Sequence, residues 1–257
     1  MLCTGDTELK GYGLVGFPLS HSFSSRYFTE KFKKESIGNC YYRNFPLEDI
    51  AGLPDLITAH PELKGLNVTI PYKEKVIAFL DELDEEAKAV GAVNTLKISR
   101  SGNKLTLKGY NTDVYGFRTS LEPLLKPSQK HALVLGSGGA SKAICFVLKS
   151  LDMQVTVVSR KPREKAHISY QELTGERIAA CHVIINTSPV GMYPHIQECP
   201  DIPYAYLTAG HILYDLVYNP PETEFMKKGE KRGAVAVNGL EMLHLQAEKA
   251  WEIWSTG

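Results

Sequence analysis

The stretch HALVLGSGGASKAICFVLK, His131 to Lys149, passes from a short apolar run through a glycine turn into a helical pattern. Gly136 permits the tight turn, Gly138 lets the backbone approach a pyrophosphate, and the following helix offers its first N–H groups to the anion. Ser141 stands where the usual fingerprint has a third glycine, so a purely structural turn is the alternative reading. The next apolar run, QVTVVS, ends at Ser159 and leads into Arg160, Lys161 and Arg163, not into the acid that would meet a ribose hydroxyl. Cations there attract a 2′-phosphate, and the Arg160 guanidinium can grip one in a fork. A solvated basic face is the plain alternative for these three residues. Beside the glycine turn, they select NADP.

Other polar clusters are less specific. NVTIPYKE (Asn67 to Glu74) is a polar-tipped strand running into Pro71, a residue suited to the first position of a helix. Lys73 then falls in the first turn, where the helix dipole disfavours a cation by about 0.3–1 kcal/mol. It either extends into water beside Glu74 or is held there for a chemical purpose. GFPLSHSFSSRYF sets Ser20, Ser22, Ser24 and Ser25 around His21 ahead of a helical pattern, where hydroxyls can cap the helix or hold a carboxylate or phosphate. His21 has no partner at metal-ligand spacing and is read as structural. Asn94 interrupts the apolar strand GAVNTLKI and needs partners if buried. Asp113, after Asn111 and Thr112, sits at a strand-to-helix junction where an N-cap is expected. NTSPVGMYP (Asn186 to Pro194) is a polar loop at a carboxyl strand end, the edge at which doubly wound sheets bind ligands. NGLEMLHLQAEKAWEIW is a helix with an apolar face of Leu240, Leu243, Ala247, Ala250 and Trp254, and Gln246 flanks that stripe.

These residues must be positioned by strands that alternate with helical patterns, an arrangement that argues for parallel sheets built from βαβ units. Strands are expected at Tyr12–Gly16, Tyr41–Phe45, Leu66–Thr69, Ala92–Ile98, Lys104–Gly109, His131–Gly136, Gln154–Ser159, His182–Thr187 and His211–Val217. That is too many for one sheet of typical size. A break between Asn111 and Lys130 divides the chain, and the segment with the glycine turn forms a second domain.

The bulk composition excludes several classes. Lys plus Arg and Asp plus Glu both number 29, so no nucleic-acid or membrane partner is implied by charge. No apolar run approaches the roughly 20 residues that cross a bilayer. Five cysteines, with no C-x-x-C pair and no signal-peptide pattern ahead of them, read as reduced thiols of a cytoplasmic protein. The eight histidines show no metal-ligand spacing, so no metal is expected.

The motifs GFPLSHSFS, GLNVTIPYK, VGAVNTL, GYNTD, LGSGGA, NTSPVGM and NGLEMLHLQA follow one another in an order and spacing that resemble the shikimate dehydrogenase family over nearly the whole chain. The resemblance implies an α/β fold of two domains with the active-site cleft between them. One is a discontinuous substrate domain, residues 1–112 plus 239–257, and the other a Rossmann-type, doubly wound NADP-binding domain, residues 113–238. It implies NADPH-dependent interconversion of 3-dehydroshikimate and shikimate, with Lys73 and Asp113 as the catalytic pair. Ser22 and Ser24 would hold the substrate carboxylate, and Asn67, Thr69, Asn94, Asp113, Tyr218 and Gln246 would surround the ring. The cofactor would meet Gly136, Ser137, Gly138, Gly139, Ala140, Ser159, Arg160, Lys161, Asn186, Thr187, Ser188, Met192, Val217 and Gly239. The partners implied are a small-molecule substrate and at most a second copy of the chain, as monomer or homodimer. Two departures stand out: Ser25 replaces a usual proline, and Glu241 adds an acid to the last motif. The rival readings are a quinate/shikimate dehydrogenase of relaxed substrate and cofactor choice, and a dinucleotide-binding sensor without turnover.

Overall fold

A computed structural model of the protein describes residues 8–19, 23–162 and 167–256. The chain divides into two compact units, Met1–Thr112 with Ala247–Gly257, and Asp113–Gln246. The second unit thus keeps residues 239–246, which the sequence assigned to the first.

The first unit runs β1 (Lys10–Gly16), α1 (Phe23–Lys34), β2 (Cys40–Pro46), α2 (Leu53–Ala59), β3 (Leu63–Val68), β4 (Glu82–Leu83), α3 (Glu85–Val90), β5 (Thr95–Ser101) and β6 (Lys104–Tyr110). Its sheet has the order β2-β1-β3-β5-β6-β4. β1 pairs in parallel with β2 and β3, but β5 is antiparallel to both β3 and β6, so the sheet is mixed and not wholly parallel as expected. The reason is local. Only Gly102 and Asn103 separate β5 from β6, and a two-residue turn joins antiparallel strands, whereas a parallel connection needs a crossover of about a dozen residues.

Alternation along β1 feeds two cores. Tyr12 and Leu14 pack with Phe28, Phe32, Tyr42 and Trp254, while Val15 packs with Leu53, Ile57, Leu66, Val68 and Leu96. The Trp254 indole N–H donates to the Leu96 carbonyl at 2.9 Å, which anchors the last turns of the chain to this sheet.

The second unit follows through α4 (Thr112–Leu121), β7 (His131–Leu135), α5 (Gly139–Ser150), β8 (Gln154–Val158), β9 (His167–Ile168), α6 (Gly175–Ala180), β10 (Val183–Asn186), β11 (Ile212–Asp215), α7 (Glu224–Glu230), β12 (Val235–Asn238) and α8 (Leu240–Ser255). The unit boundaries fall at the start of α4 and within α8. Its sheet, β12-β11-β10-β7-β8-β9, is parallel throughout. Counted within the unit, this is the doubly wound order 3-2-1-4-5-6, whose switch point lies between β7 and β10. Leu133, Leu135, Ile184, Leu213 and Phe225 form the core on one side of it.

The nine expected strands are present with shifted ends, and β4, β9 and β12 add to them. Pro71 does not open a helix. Thr69–Tyr72 is a turn closed by Tyr72 N–H to the Thr69 carbonyl at 2.9 Å, and the helical segment is a short 3-10 helix, Lys75–Phe79. Five residues leave no room for an α-helix before the chain re-extends at Leu80. Among the described residues no helix is long and apolar enough to cross a membrane.

Candidate active site

In the first unit the polar tips of three strands meet in a buried network. Asn67 is the penultimate residue of β3: its amide nitrogen donates to Thr95 Oγ1 at 3.2 Å and to the Asn94 carbonyl at 3.4 Å, and its Oδ1 accepts from the Tyr42 hydroxyl at 2.8 Å. Asn94 Oδ1 accepts from the Thr112 N–H at 2.7 Å, and its Nδ2 donates to Thr112 Oγ1 at 3.0 Å. Asn67 and Asn94 are only 5% and 3% exposed, so these bonds are what make their burial tolerable. Ser24 lies in the first turn of α1 and bonds the Tyr42 hydroxyl, whose ionisation burial pushes far above its ordinary range. Ser22, with Ser20 and His21, lies outside the described residues. Ser25 falls in the same first turn of α1 as Ser24.

Thr69 follows β3 and donates its N–H to the Val15 carbonyl at 2.9 Å, while Phe17 N–H reaches the Ile70 carbonyl at 3.1 Å, so the ends of β1 and β3 run side by side. Lys73 is half-buried, and its carbonyl accepts from the Val93 N–H at 2.7 Å, one residue before Asn94. The lysine therefore sits in a turn tied to the asparagine network, not at the unfavourable end of a helix dipole.

In the second unit Asp113 lies in the first turn of α4, 6% exposed, so it belongs to the helix and does not precede it as a cap. One turn later Gly116 faces α8: a Cβ there would stand 2.6 Å from the Met242 carbonyl oxygen and 3.2 Å from Gln246 Cβ. Residues three apart share a helix face, so Asp113 and Gln246 lie along one helix–helix seam. Gln246 is 7% exposed and part of the buried stripe with Met242, while Leu240, expected on that stripe, is 41% exposed.

The loops at the carboxyl ends of the parallel strands assemble the rest. Gly136 adopts φ 118°, a left-handed conformation suited to glycine, and a Cβ there would meet Thr187 Oγ1 at 2.7 Å. Thr187 in turn donates through N–H and Oγ1 to the Leu135 carbonyl, at 2.9 and 3.0 Å. The loops after β7 and β10 therefore lie together at the switch point. Ser137, Gly138, Gly139 and Ala140 lead into α5, whose N-terminus carries no side-chain cap and no acid, and the space beside Gly138 is open. Ser159 Oγ is buried at the end of β8 without a hydrogen-bond partner, and exposed Arg160 and Lys161 follow it. Uncapped helix N–H groups, an orphaned hydroxyl and two cations fit the phosphates of a dinucleotide. Arg163 lies outside the described residues.

Asn186, fully buried, accepts at Oδ1 from Ser188 N–H at 3.1 Å and Ser188 Oγ at 2.6 Å, and shapes the NTSPVGM loop that carries exposed Met192. Val217 and half-buried Tyr218 follow β11, and the Val217 carbonyl accepts from the Gly239 N–H at 3.4 Å. Burial raises the Tyr218 phenol above its ordinary pKa.

One residue at this edge went unread in the sequence. Asp215, without exposure, bonds Asn186, Val217 and Thr223. Its signal was an acid inside the otherwise apolar run HILYDLV.

A family model described as "Shikimate dehydrogenase substrate binding domain" matches residues 14–96, the span that holds Asn67, Thr69, Lys73 and Asn94. The chain is 38% identical to "Shikimate dehydrogenase (NADP(+))" of Carboxydothermus hydrogenoformans, over 99% of this chain and 94% of that one. A crystal structure of a shikimate dehydrogenase in complex with NADP+ superposes with TM-score 0.86 at 32% identity, covering 98% of this chain and 92% of that one. The shikimate 5-dehydrogenase of Thermus thermophilus, in complex with NADP(H) and shikimate, superposes with TM-score 0.81 at 29% identity, covering 96% of this chain and 94% of that one. With relatives aligned across almost its full length, and with the motif residues held in a buried amide network and at the mouth of a doubly wound sheet, the chain belongs to the shikimate dehydrogenase family.

Proposed function

We propose that this protein catalyses the reversible, NADPH-dependent reduction of 3-dehydroshikimate to shikimate. The observation that carries the reading is the burial of Asn67, Asn94, Asp113 and Gln246, polar side chains each more than nine-tenths enclosed along the motifs that mark the family. Asn67 and Asn94 are oriented by bonds within the fold, and a buried lining of this polarity suits a polyhydroxylated ring better than an apolar ligand.

In this reading NADPH, when bound, supplies the hydride to the substrate ketone. Lys73 gives the proton to the ketone oxygen and stabilises the negative charge that gathers there. Asp113 is the second member of the catalytic pair and accepts from a ring hydroxyl. Asn67, Thr69, Asn94, Tyr218 and Gln246 receive the other hydroxyls, and Ser22 and Ser24 hold the carboxylate. Residues 136–140 at the start of α5 receive the pyrophosphate, and Ser159, Arg160 and Lys161 the 2′-phosphate. Asn186, Thr187, Ser188, Met192, Val217 and Gly239 lie toward the nicotinamide. The unit with the mixed sheet is the substrate domain and the doubly wound unit the NADP domain. Among the described residues Cys40, Cys145, Cys181 and Cys199 form no disulfide, which supports a reducing, cytoplasmic setting, with the protein acting as monomer or homodimer.

The deciding experiment compares initial rates of shikimate and quinate oxidation with NADP+ and with NAD+. Shikimate with NADP+ is expected to be the fastest pair. Faster turnover with quinate or NAD+ overturns the assigned specificity, and no nicotinamide reduction with any pair overturns the enzyme.

A further inference from the structure

Asp215 closes β11 as a carboxyl group with no solvent exposure. Its Oδ1 accepts from the Asn186 side-chain amide at 2.9 Å and from the Val217 N–H at 3.0 Å, and its Oδ2 from the Thr223 hydroxyl at 2.6 Å. Each bond reaches a different segment. Asn186 ends β10 and fixes Ser188, Val217 opens the loop that carries Tyr218, and Thr223 caps α7 through the Met226 N–H at 3.3 Å. Stability alone is a weak reason to enclose a carboxyl group, because a well-packed apolar side chain of similar size serves it as well or better. What an apolar residue cannot do is hold two loops by their donors at one fixed spacing.

We propose that Asp215 is a positioning residue, which sets the distance between the loop after β10 and the loop after β11 so that Asn186–Ser188 and Val217 stand ready for NADPH. The inference rests on the reading of these loops as cofactor-facing. A merely structural strap, once cut, lowers the fraction of folded protein without altering what the folded molecules bind.

Two substitutions separate these roles. Asp215→Ala removes every acceptor, whereas Asp215→Asn keeps the oxygen that serves Asn186 and Val217 and can turn its amide to Thr223. The KM for NADPH is expected to rise about tenfold or more in Asp215→Ala and to stay within about threefold of wild type in Asp215→Asn, with kcat per folded molecule changed less than KM. An unchanged KM in Asp215→Ala, or equal losses in both variants, overturns the proposal. Should Asp215→Ala not fold, amide hydrogen exchange of the wild-type protein without cofactor decides. The Val217 N–H is then expected to be protected by about 100-fold or more, and free exchange at that amide overturns the proposal. A wild-type protein that does not bind NADPH overturns the functional reading instead, and exchange at Val217 still judges the strap.

Discussion

Gly116 of α4 lies against the main chain of α8, with the Met242 carbonyl oxygen 2.6 Å from the place a Cβ would occupy. The seam that results sets Gln246 beside the helix face of Asp113. A methyl group at residue 116 must therefore push the two helices apart. Gly116→Ala is expected to destabilise the protein by about 1–3 kcal/mol and to raise the KM for shikimate several-fold more than that for NADP+. Chemical denaturation and steady-state kinetics on the same preparation test both effects.

Lys73 should matter to the chemistry and not to the fold, because its side chain belongs to no core cluster and its turn is held by the backbone bond from Val93. Lys73→Ala is expected to lower kcat by about 10²–10⁴-fold, the range attributed to a positioned proton donor. Lys33→Ala, an exposed position on α1, serves as the control. Equal turnover by the two variants removes Lys73 from the reaction.

Arg160 is exposed and follows the orphaned Ser159 hydroxyl, so its work is recognition and not packing. Arg160→Ala is expected to raise the KM for NADPH about 10- to 100-fold, as for loss of a charge-assisted pair, while leaving the weaker use of NADH nearly unchanged. A parallel loss with both cofactors would show that Arg160 does not read the 2′-phosphate.

Asp215 also predicts a pH dependence of stability. Burial pushes its carboxyl up to about 6 from 3.8, against the opposing pull of its bonds from Thr223, Val217 and Asn186. The Tyr204 phenol, raised mainly by its own burial, feels the Asp215 charge as well. The folded protein thus holds this proton more tightly than the unfolded chain, and the stability it contributes is fully present below about pH 4 and lost as pH rises through about 6. Wild type is expected to lose about 3 kcal/mol relative to Asp215→Asn across that window. Denaturant midpoints of both proteins at intervals from pH 4 to 7 measure it, and curves that stay parallel would refute it.

Several features were legible in the residues themselves. The glycine turn before α5, the missing acid after β8 and the basic residues that replace it are short-range chemistry, and local spacing is enough to read them. The nine main strands were visible for the same reason, since apolar runs of the right length need no knowledge of their partners. Tertiary structure decided the matters that depend on which segments meet. It made β5 antiparallel to β3, put Lys73 in a turn and not a helix, and moved Gln246 from the flank of α8 to its buried stripe.

Asp215 shows the division most clearly. The sequence determined that an acid interrupts an apolar strand and that polar loops lie at strand ends. Only the fold decided that this acid meets Asn186, Val217 and Thr223, because hydrogen bonds between segments 29 and 8 residues apart exist once the parallel register brings Asn186 opposite Asp215. Periodicity tells which face of a strand is buried, but the identity of a buried polar group's partner is a property of register, and register is set by the whole sheet.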